Sequence, residues 1–395
     1  MYLLTGSVKH YAWGGTHYIP KLLSTHNAES RPFAEYWLGT HSGGPSRVWL
    51  SETASTGLVD MIRSEPRRYL GKKVIDQFGE LPFLLKVLDV KGMLSIQVHP
   101  NKDEAKKGFD RENAAGIPLD AANRNYKDAN HKPEVMVALS DFWLLHGFNP
   151  RLAEILDGHD VLGPLLPLLE SHGLKGLYKY VMELPQSGVD ELLRPLAERI
   201  VPLYKQNQLS KSSPDFWAAR VMSDAAPAFE NLDRGIFSIY FFNILHLREG
   251  EAIYQGAGVP HAYLEGQNIE LMSNSDNVLR AGLTPKYMDI PELMKHTLFE
   301  YIQPEIMQGE HLGKLINYNC PVPDFQVHAL TLQAGESFSD HSKGPEIWIM
   351  IKGRADWTGF RTVNSHQGQA IFVLPDEYFT LHALEDSQLF RAIVP

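Results

Sequence analysis

The spacing of apolar and polar positions along this chain changes twice. From residue 1 to about 150, short apolar runs such as "SRVWL" and "LPFLLKVLDV" are broken by Gly, Pro, Ser and Asn. Such runs bounded by turn formers predict strands. Within this stretch "NKDEAKKGFDRENAAG" reads as a charged, solvated insertion with some helix. From Arg151 to about Asp233 the spacing becomes helical. "VDELLRPLAERIVPLYKQ" sets Leu192, Leu193, Leu196, Ile200 and Leu203 along one stripe. Pro164, Pro167, Pro185 and Pro195 start or punctuate these helices. From about Gly235 the strand texture returns in "IFSIYFFNILHL", "PEIWIMIKGRADW" and "QAIFVLP". The pattern predicts a mainly β protein with antiparallel jelly rolls and an inserted α-helical domain.

A weak internal echo refines this. "GEAIYQGAGVPHAY" begins at Gly250, "GESFSDHSKGPEIWIMIKG" at Gly335 and "GQAIFVLPDEYF" at Gly368. These segments resemble the two motifs of cupin jelly rolls. In the second motif a glycine is followed, after a strand and a turn, by a metal-ligating histidine. The first copy has it, as His261, while the last has the neighbourhood of Phe379 in its place. The resemblance implies two cupin-like jelly rolls, with a metal in the first only. His341 and Glu346 then read as structural remnants. The expected division is a catalytic jelly roll with the metal site from 1–150 plus 235–310, a helical domain at 151–234, and a C-terminal jelly roll without a metal site at 311–395.

The candidate chemistry comes from separate segments. "SIQVHP" places Gln97 and His99 two positions apart, and residues i and i+2 of a strand point the same way. Glu134 closes "YKDANHKPE", and His261 follows "GAGVP". Two imidazoles, a carboxylate and an amide oxygen together suit Zn²⁺, with the metal open to water or substrate. Each residue also has an ordinary reading: a polar group on a barrel wall, an ion-pair partner, a hydrogen-bonded histidine. Residues 261–286, "HAYLEGQNIELMSNSDNVLRAGLTPK", add Glu270, Asp276, Arg280 and Lys286. Arg280 and Lys286 are either solvated cations near a turn or an anion clamp beside the metal, with Lys132 as a third cation.

Charge and cysteine content narrow the classes. A net charge of -10 argues against non-specific nucleic-acid binding and leaves room for an anionic substrate in a basic pocket. The single cysteine, Cys320, excludes an intramolecular disulfide and a thiolate metal cluster. No stretch reaches the roughly 20 apolar residues of a membrane span. The expectation is a soluble, cytoplasmic chain, monomeric rather than oligomeric, with no nucleic-acid or membrane partner.

Tyr126 to Glu134, "YKDANHKPE", resembles the Y-x-D-x-N-H-K-P-E signature of type I phosphomannose isomerases. His261 to Lys286 resembles that family's second signature, departing at Ser273, where the family usually has alanine. "YAWG" (11–14), "AEYWLGTH" (34–41) and "LSIQVHP" (94–100) are similar to family segments too. The resemblance implies interconversion of mannose 6-phosphate and fructose 6-phosphate through a cis-enediol. It implies one zinc per chain held by Gln97, His99, Glu134 and His261, with Arg280 as the active-site arginine. A guanidinium stays protonated, so Arg280 is assigned to stabilising the enediolate or the phosphate. Lys286, with Ser95 and His131, is expected to contact substrate. Lys132 or Glu270 is expected to carry the proton, Glu270 being alternatively an orienting partner of His261. Asp276 is expected to hold Arg280 or Lys286. The alternatives are a cupin-type Fe(II) oxygenase and a non-catalytic sugar-phosphate-binding cupin.

Overall fold

The computed structural model describes residues 1–395. Strand Phe83–Val90 is central to the first half. It pairs antiparallel with Glu35–Gly39 on one side and with His261–Ser273 on the other. His261–Ser273 also pairs with Glu134–Ala138 and Phe142–Phe148. Gln97–Val98 lies against its first residue and carries Leu279–Arg280 on its other edge. These strands belong to one ten-stranded sheet. Leu88, Val90, Met136, Ala138, Phe142, Leu144 and Tyr263 fill its interior.

Strand Phe83–Val90 is buried on both faces, which is why its sequence is nearly continuous apolar. Phe83, Leu85 and Val87 pack into a core shared with the C-terminal half, alongside Val327, Ile347 and Phe372. Its alternate positions turn to the interior of the first jelly roll.

The C-terminal half is a second sandwich. Gln326–Leu332, Glu346–Lys352, Ala370–Val373 and Ser387–Ile393 lie in a nine-stranded sheet, opposite a four-stranded sheet containing Arg354–Thr358 and Tyr378–Ala383. Trp348, Trp357, Phe379 and Leu381 lie together in its core. The expected grouping of residues 1–150 with the first jelly roll needs correction. Tyr2–Thr5 pairs with Ala370–Val373, and Arg47–Trp49 and Ser55–Gly57 extend that same sheet. These short strands carry no local sign of which half they edge.

The insert consists of helices including Leu152–Asp157, Leu166–Glu183, Gln186–Lys205 and Pro214–Met222. In Gln186–Lys205 the buried stripe is Val189, Leu193, Leu196, Ala197, Ile200 and Val201. Leu192 and Leu203 flank it, and Pro195 sits inside the helix on its exposed side.

Helix extends past the expected boundary at 234. "IFSIYFFNILHL" is helix Gly235–Phe241 followed by strand Phe242–Leu247. Every residue of that helix is buried. A segment buried all round shows no helical period, so its β-forming residues misled the reading. The charged insertion forms helix Lys102–Ala114, whose N-cap Asn101 accepts from the Glu104 amide. Helices Leu58–Ser64 and Pro66–Phe78 were not expected, although proline at the start of the second and the left-handed Gly79 after it are helix signals.

Candidate metal centre

The alternation in "SIQVHP" answers to two environments. Ile96 and Val98 pack into the core of the helical insert, and the intervening Gln97 and His99 face the jelly-roll interior. Val135 and Val137 likewise face the shared core, which turns Glu134 inward. His261 stands opposite Gln97 in the antiparallel pair.

Strand His261–Ser273 carries inward residues on both parities. His261 and Tyr263 line the cavity at odd positions, and Glu270 does so at an even one. The change occurs where register shifts between Tyr263 and Glu265. Gly266 follows with φ of 132°, and a Cβ there would meet the Asp141 carbonyl at 2.7 Å. This irregularity lets one strand deliver both His261 and Glu270 to one site.

The ligand atoms of His99, Glu134 and His261 lie within 4.8 Å of one another, and all three residues are buried. His99 Nε2 is 3.6 Å from Glu134 Oε1, and His261 Nε2 is 3.2 Å from Glu134 Oε2. His99 Nδ1–H donates to the Asn277 carbonyl at 2.8 Å, and His261 Nδ1–H to the Val259 carbonyl at 2.9 Å. Both bonds fix the tautomer that leaves Nε2 as a lone-pair donor, the arrangement of metal-ligating imidazoles. His99 Nε2 is buried with no hydrogen-bond partner. A buried polar atom without a partner is costly, and a metal ion satisfies it. The three residues therefore fit a zinc ion held by nitrogen and oxygen donors, and Gln97 lines the same cavity.

The charges agree with this. Burial, then the Lys132 ammonium, pushes the His99 imidazole well below its ordinary range, which keeps it neutral. Burial pushes the Glu134 carboxyl up, but Lys132 and the two imidazoles outweigh it and hold it well below the usual carboxylate range. Lys132 Nζ is 2.9 Å from Glu134 Oε1.

Beyond the ligands, the cavity of about 60 Å³ is lined by Glu35, Lys86, Lys132, Tyr263 and Glu270. Lys86 Nζ is 2.7 Å from Glu270 Oε2 and 3.9 Å from Glu35 Oε2. Lys86, Glu35 and Tyr263 were missed by the sequence reading. The signal for Lys86 was a lone cation in "FLLKVLDV", where a strand buried on both faces has no solvent to receive it.

The other expected residues divide. Arg280 stands opposite Gln97, half-buried, and no carboxylate pairs with it. Burial, then Arg280, lowers the ammonium of Lys286, which is exposed and pairs with no carboxylate. Ser95 lies two positions before Gln97 and is partly buried. His131 is not among the residues lining the cavity; its Nε2–H donates to Asp324 at 3.0 Å. It alternates with Lys132, whose side chain points inward. Glu270 does not orient His261, because it bonds Lys86 instead. Asp276 pairs with His41 at 3.4 Å rather than with Arg280 or Lys286. Glu346 of the second jelly roll is closed by Arg391 and by Trp348 Nε1–H at 2.8 Å.

A metal-binding cupin with an unpaired arginine opposite one cavity residue is the class that this fold and site define. Residues 1–151 match the family model "Phosphomannose isomerase type I, catalytic domain". The chain is 36% identical over 386 residues to mannose-6-phosphate isomerase of Escherichia coli (strain K12), covering 95% of each. It is 34% identical to the Homo sapiens mannose-6-phosphate isomerase, covering 98% of this chain and 97% of that one. Mannose 6-phosphate isomerase from Salmonella typhimurium, solved with bound substrate and zinc, superposes with a TM-score of 0.87 at 33% identity. That match covers 100% of this chain and 99% of the other. The chain belongs to the type I phosphomannose isomerase family. None of these relatives is an oxygenase or a non-catalytic binding protein. No helix is long and apolar enough to cross a membrane.

The buried histidines also set an acid limit on stability. Burial pushes His146, opposite His261, down to about 3, and pushes His328 of the second jelly roll down to about 4. Both stay neutral in the native state, while the unfolded chain takes up protons below about pH 6.5. The unfolded state therefore binds more protons, and stability falls as pH drops from about 6.5, by up to about 1.4 kcal/mol per pH unit for each histidine. Urea unfolding of the chelated protein between pH 6.5 and 5 should show this slope, and His146→Gln should reduce it. An unchanged slope would remove His146 from the account.

Proposed function

We infer that the chain is a zinc-dependent aldose–ketose isomerase that interconverts mannose 6-phosphate and fructose 6-phosphate. The observation that carries this is the buried His99–Glu134–His261 cluster with an orphaned imidazole nitrogen, with unpaired Arg280 opposite Gln97 of the same cavity. When bound, zinc supplies Lewis-acid polarisation of the sugar carbonyl and hydroxyl oxygens.

The residues of the chain supply the rest. Gln97, His99, Glu134 and His261 hold the ion. Arg280 and Lys286 meet the dianionic phosphate and the oxyanion that develops during enolisation, with the Ser95 hydroxyl as an added donor. Aldose–ketose conversion takes the C2 proton of the aldose and returns a proton to C1, while a proton moves between the two oxygens. One group above the face of a cis-enediol suffices for the carbon transfer. Lys132 and Glu270 both project into the cavity and are the candidates for it. The buried Lys86–Glu270 pair keeps Glu270 in place.

The division into a catalytic jelly roll, a helical insert and a metal-free C-terminal jelly roll is part of the same proposal. So is a cytoplasmic monomer, which the acidic balance and single cysteine support. A coupled assay of the purified protein tests the function. Mannose 6-phosphate should turn over to fructose 6-phosphate, with C2–H exchange lost in whichever of Lys132→Met or Glu270→Gln removes the proton carrier. Tight sugar-phosphate binding without turnover would contradict it, and normal exchange in both variants would sink the proton assignment.

A further inference from the structure

The C-terminal jelly roll brings no three metal-ligating side chains together, yet one of its side chains reaches the loop that supplies Lys132 and Glu134. Asp324, just before strand Gln326–Leu332, is 1% exposed. Its Oδ1 accepts from His131 Nε2–H at 3.0 Å and from Ser273 Oγ–H at 2.9 Å. Ser273 is the position where the chain departs from the family's second signature. The Ser273 amide in turn donates to the Pro133 carbonyl at 3.3 Å, and its neighbour Met272 stands opposite Glu134. A single carboxylate oxygen of the second half thus binds one residue from each of the two signature segments of the first.

The direction of His131 matters because its chain neighbour Lys132 lines the cavity while His131 bonds away from it. With His131 anchored outward on Asp324, Lys132 and Glu134 face the cavity. Burial pushes the Asp324 carboxyl up, but the hydrogen bond and charge of His131, with Ser273, hold it below the usual range. A charged acceptor of this kind forms the stronger class of hydrogen bond.

We propose that Asp324 is a positioning residue, through which the C-terminal jelly roll fixes the loop Asn130–Glu134 and holds Lys132 and Glu134 at the metal centre. The proposal rests on the metal-isomerase reading, and zinc affinity tests the two apart. A parent protein that binds no zinc would sink that reading. In a parent that binds zinc, Asp324→Ala and His131→Phe should each weaken zinc binding about 10-fold, the lower end of the loss for a partner bonded to a ligand directly, since these two act through the loop that carries Glu134. The turnover number should fall with it, while KM for mannose 6-phosphate moves by less than about threefold. Asp324→Asn keeps an acceptor oxygen and should recover most of the loss. Ser273→Ala removes one of two bonds and should cost about threefold in zinc affinity. If Asp324→Ala does not fold, His131→Phe decides. A folded His131→Phe or Asp324→Ala protein with a lower thermal midpoint but zinc affinity and turnover within about twofold of the parent would overturn the proposal, since Asp324 would then serve stability alone.

Discussion

His99→Ala should reduce turnover of mannose 6-phosphate by about 10³-fold, equivalent to about 4 kcal/mol of transition-state stabilisation. Its Nε2 is buried and orphaned and faces Glu134 at 3.6 Å, while its Nδ1–H is committed to the Asn277 carbonyl. Truncation removes one donor of the metal set and opens a void beside the ring of His261, whose centroid is 5.1 Å away. The carboxylate of Glu134 keeps Lys132 as a partner, so the fold survives and the metal does not stay. The expected signature is a folded protein by circular dichroism, zinc lost on dialysis, and a turnover defect that added zinc only partly repairs. A variant with normal zinc content and turnover within tenfold of the parent would remove His99 from the ligand set.

The second large effect concerns stability. Lys86→Met should destabilise the protein by about 3–5 kcal/mol near neutral pH, the cost of breaking a buried ion pair by removing one partner. The Lys86 side chain is 7% exposed, and its ammonium lies between Glu270 and Glu35. Burial pulls the Lys86 ammonium down, but Glu270 and Glu35 outweigh it and raise it above its ordinary value. Without it, the two buried carboxyls lose the cation they share, and at least one must take up a proton. Burial already pushes Glu35 up. The variant's native carboxyls therefore titrate at higher pH than the parent's. Its native state binds more protons, and the stability difference shrinks as pH falls from 7.5 towards 5. Urea unfolding of both proteins at these two pH values measures it. A loss under 1 kcal/mol that does not change with pH would mean that water, rather than Lys86, compensates the pair.

These two residues mark how much was legible in the sequence. His99 was readable because a strand has period two and because its partner Gln97 shares the face. Glu134 and His261 followed from the signature segments. Lys86 was not readable as a site residue, since it sits within an apolar run and only the barrel's closure shows what faces it. Glu270 and His261 lie an odd number of residues apart, so regular alternation would put them on opposite faces; the irregularity before Gly266 reverses this. His131 sits between site residues in the chain and points away from the site, because Asp324 holds it from the other half. The crossing of Tyr2–Thr5 to the C-terminal sheet and the helix Gly235–Phe241 are long-range decisions, made by packing rather than by local pattern.

The central claim is that the buried cluster holds a catalytic zinc ion. The direct measurement follows mannose 6-phosphate turnover of the purified protein before chelation, after complete metal removal, and during titration with zinc. The account predicts that activity disappears with the metal and returns at one zinc per chain. Activity that persists without any bound metal would contradict it.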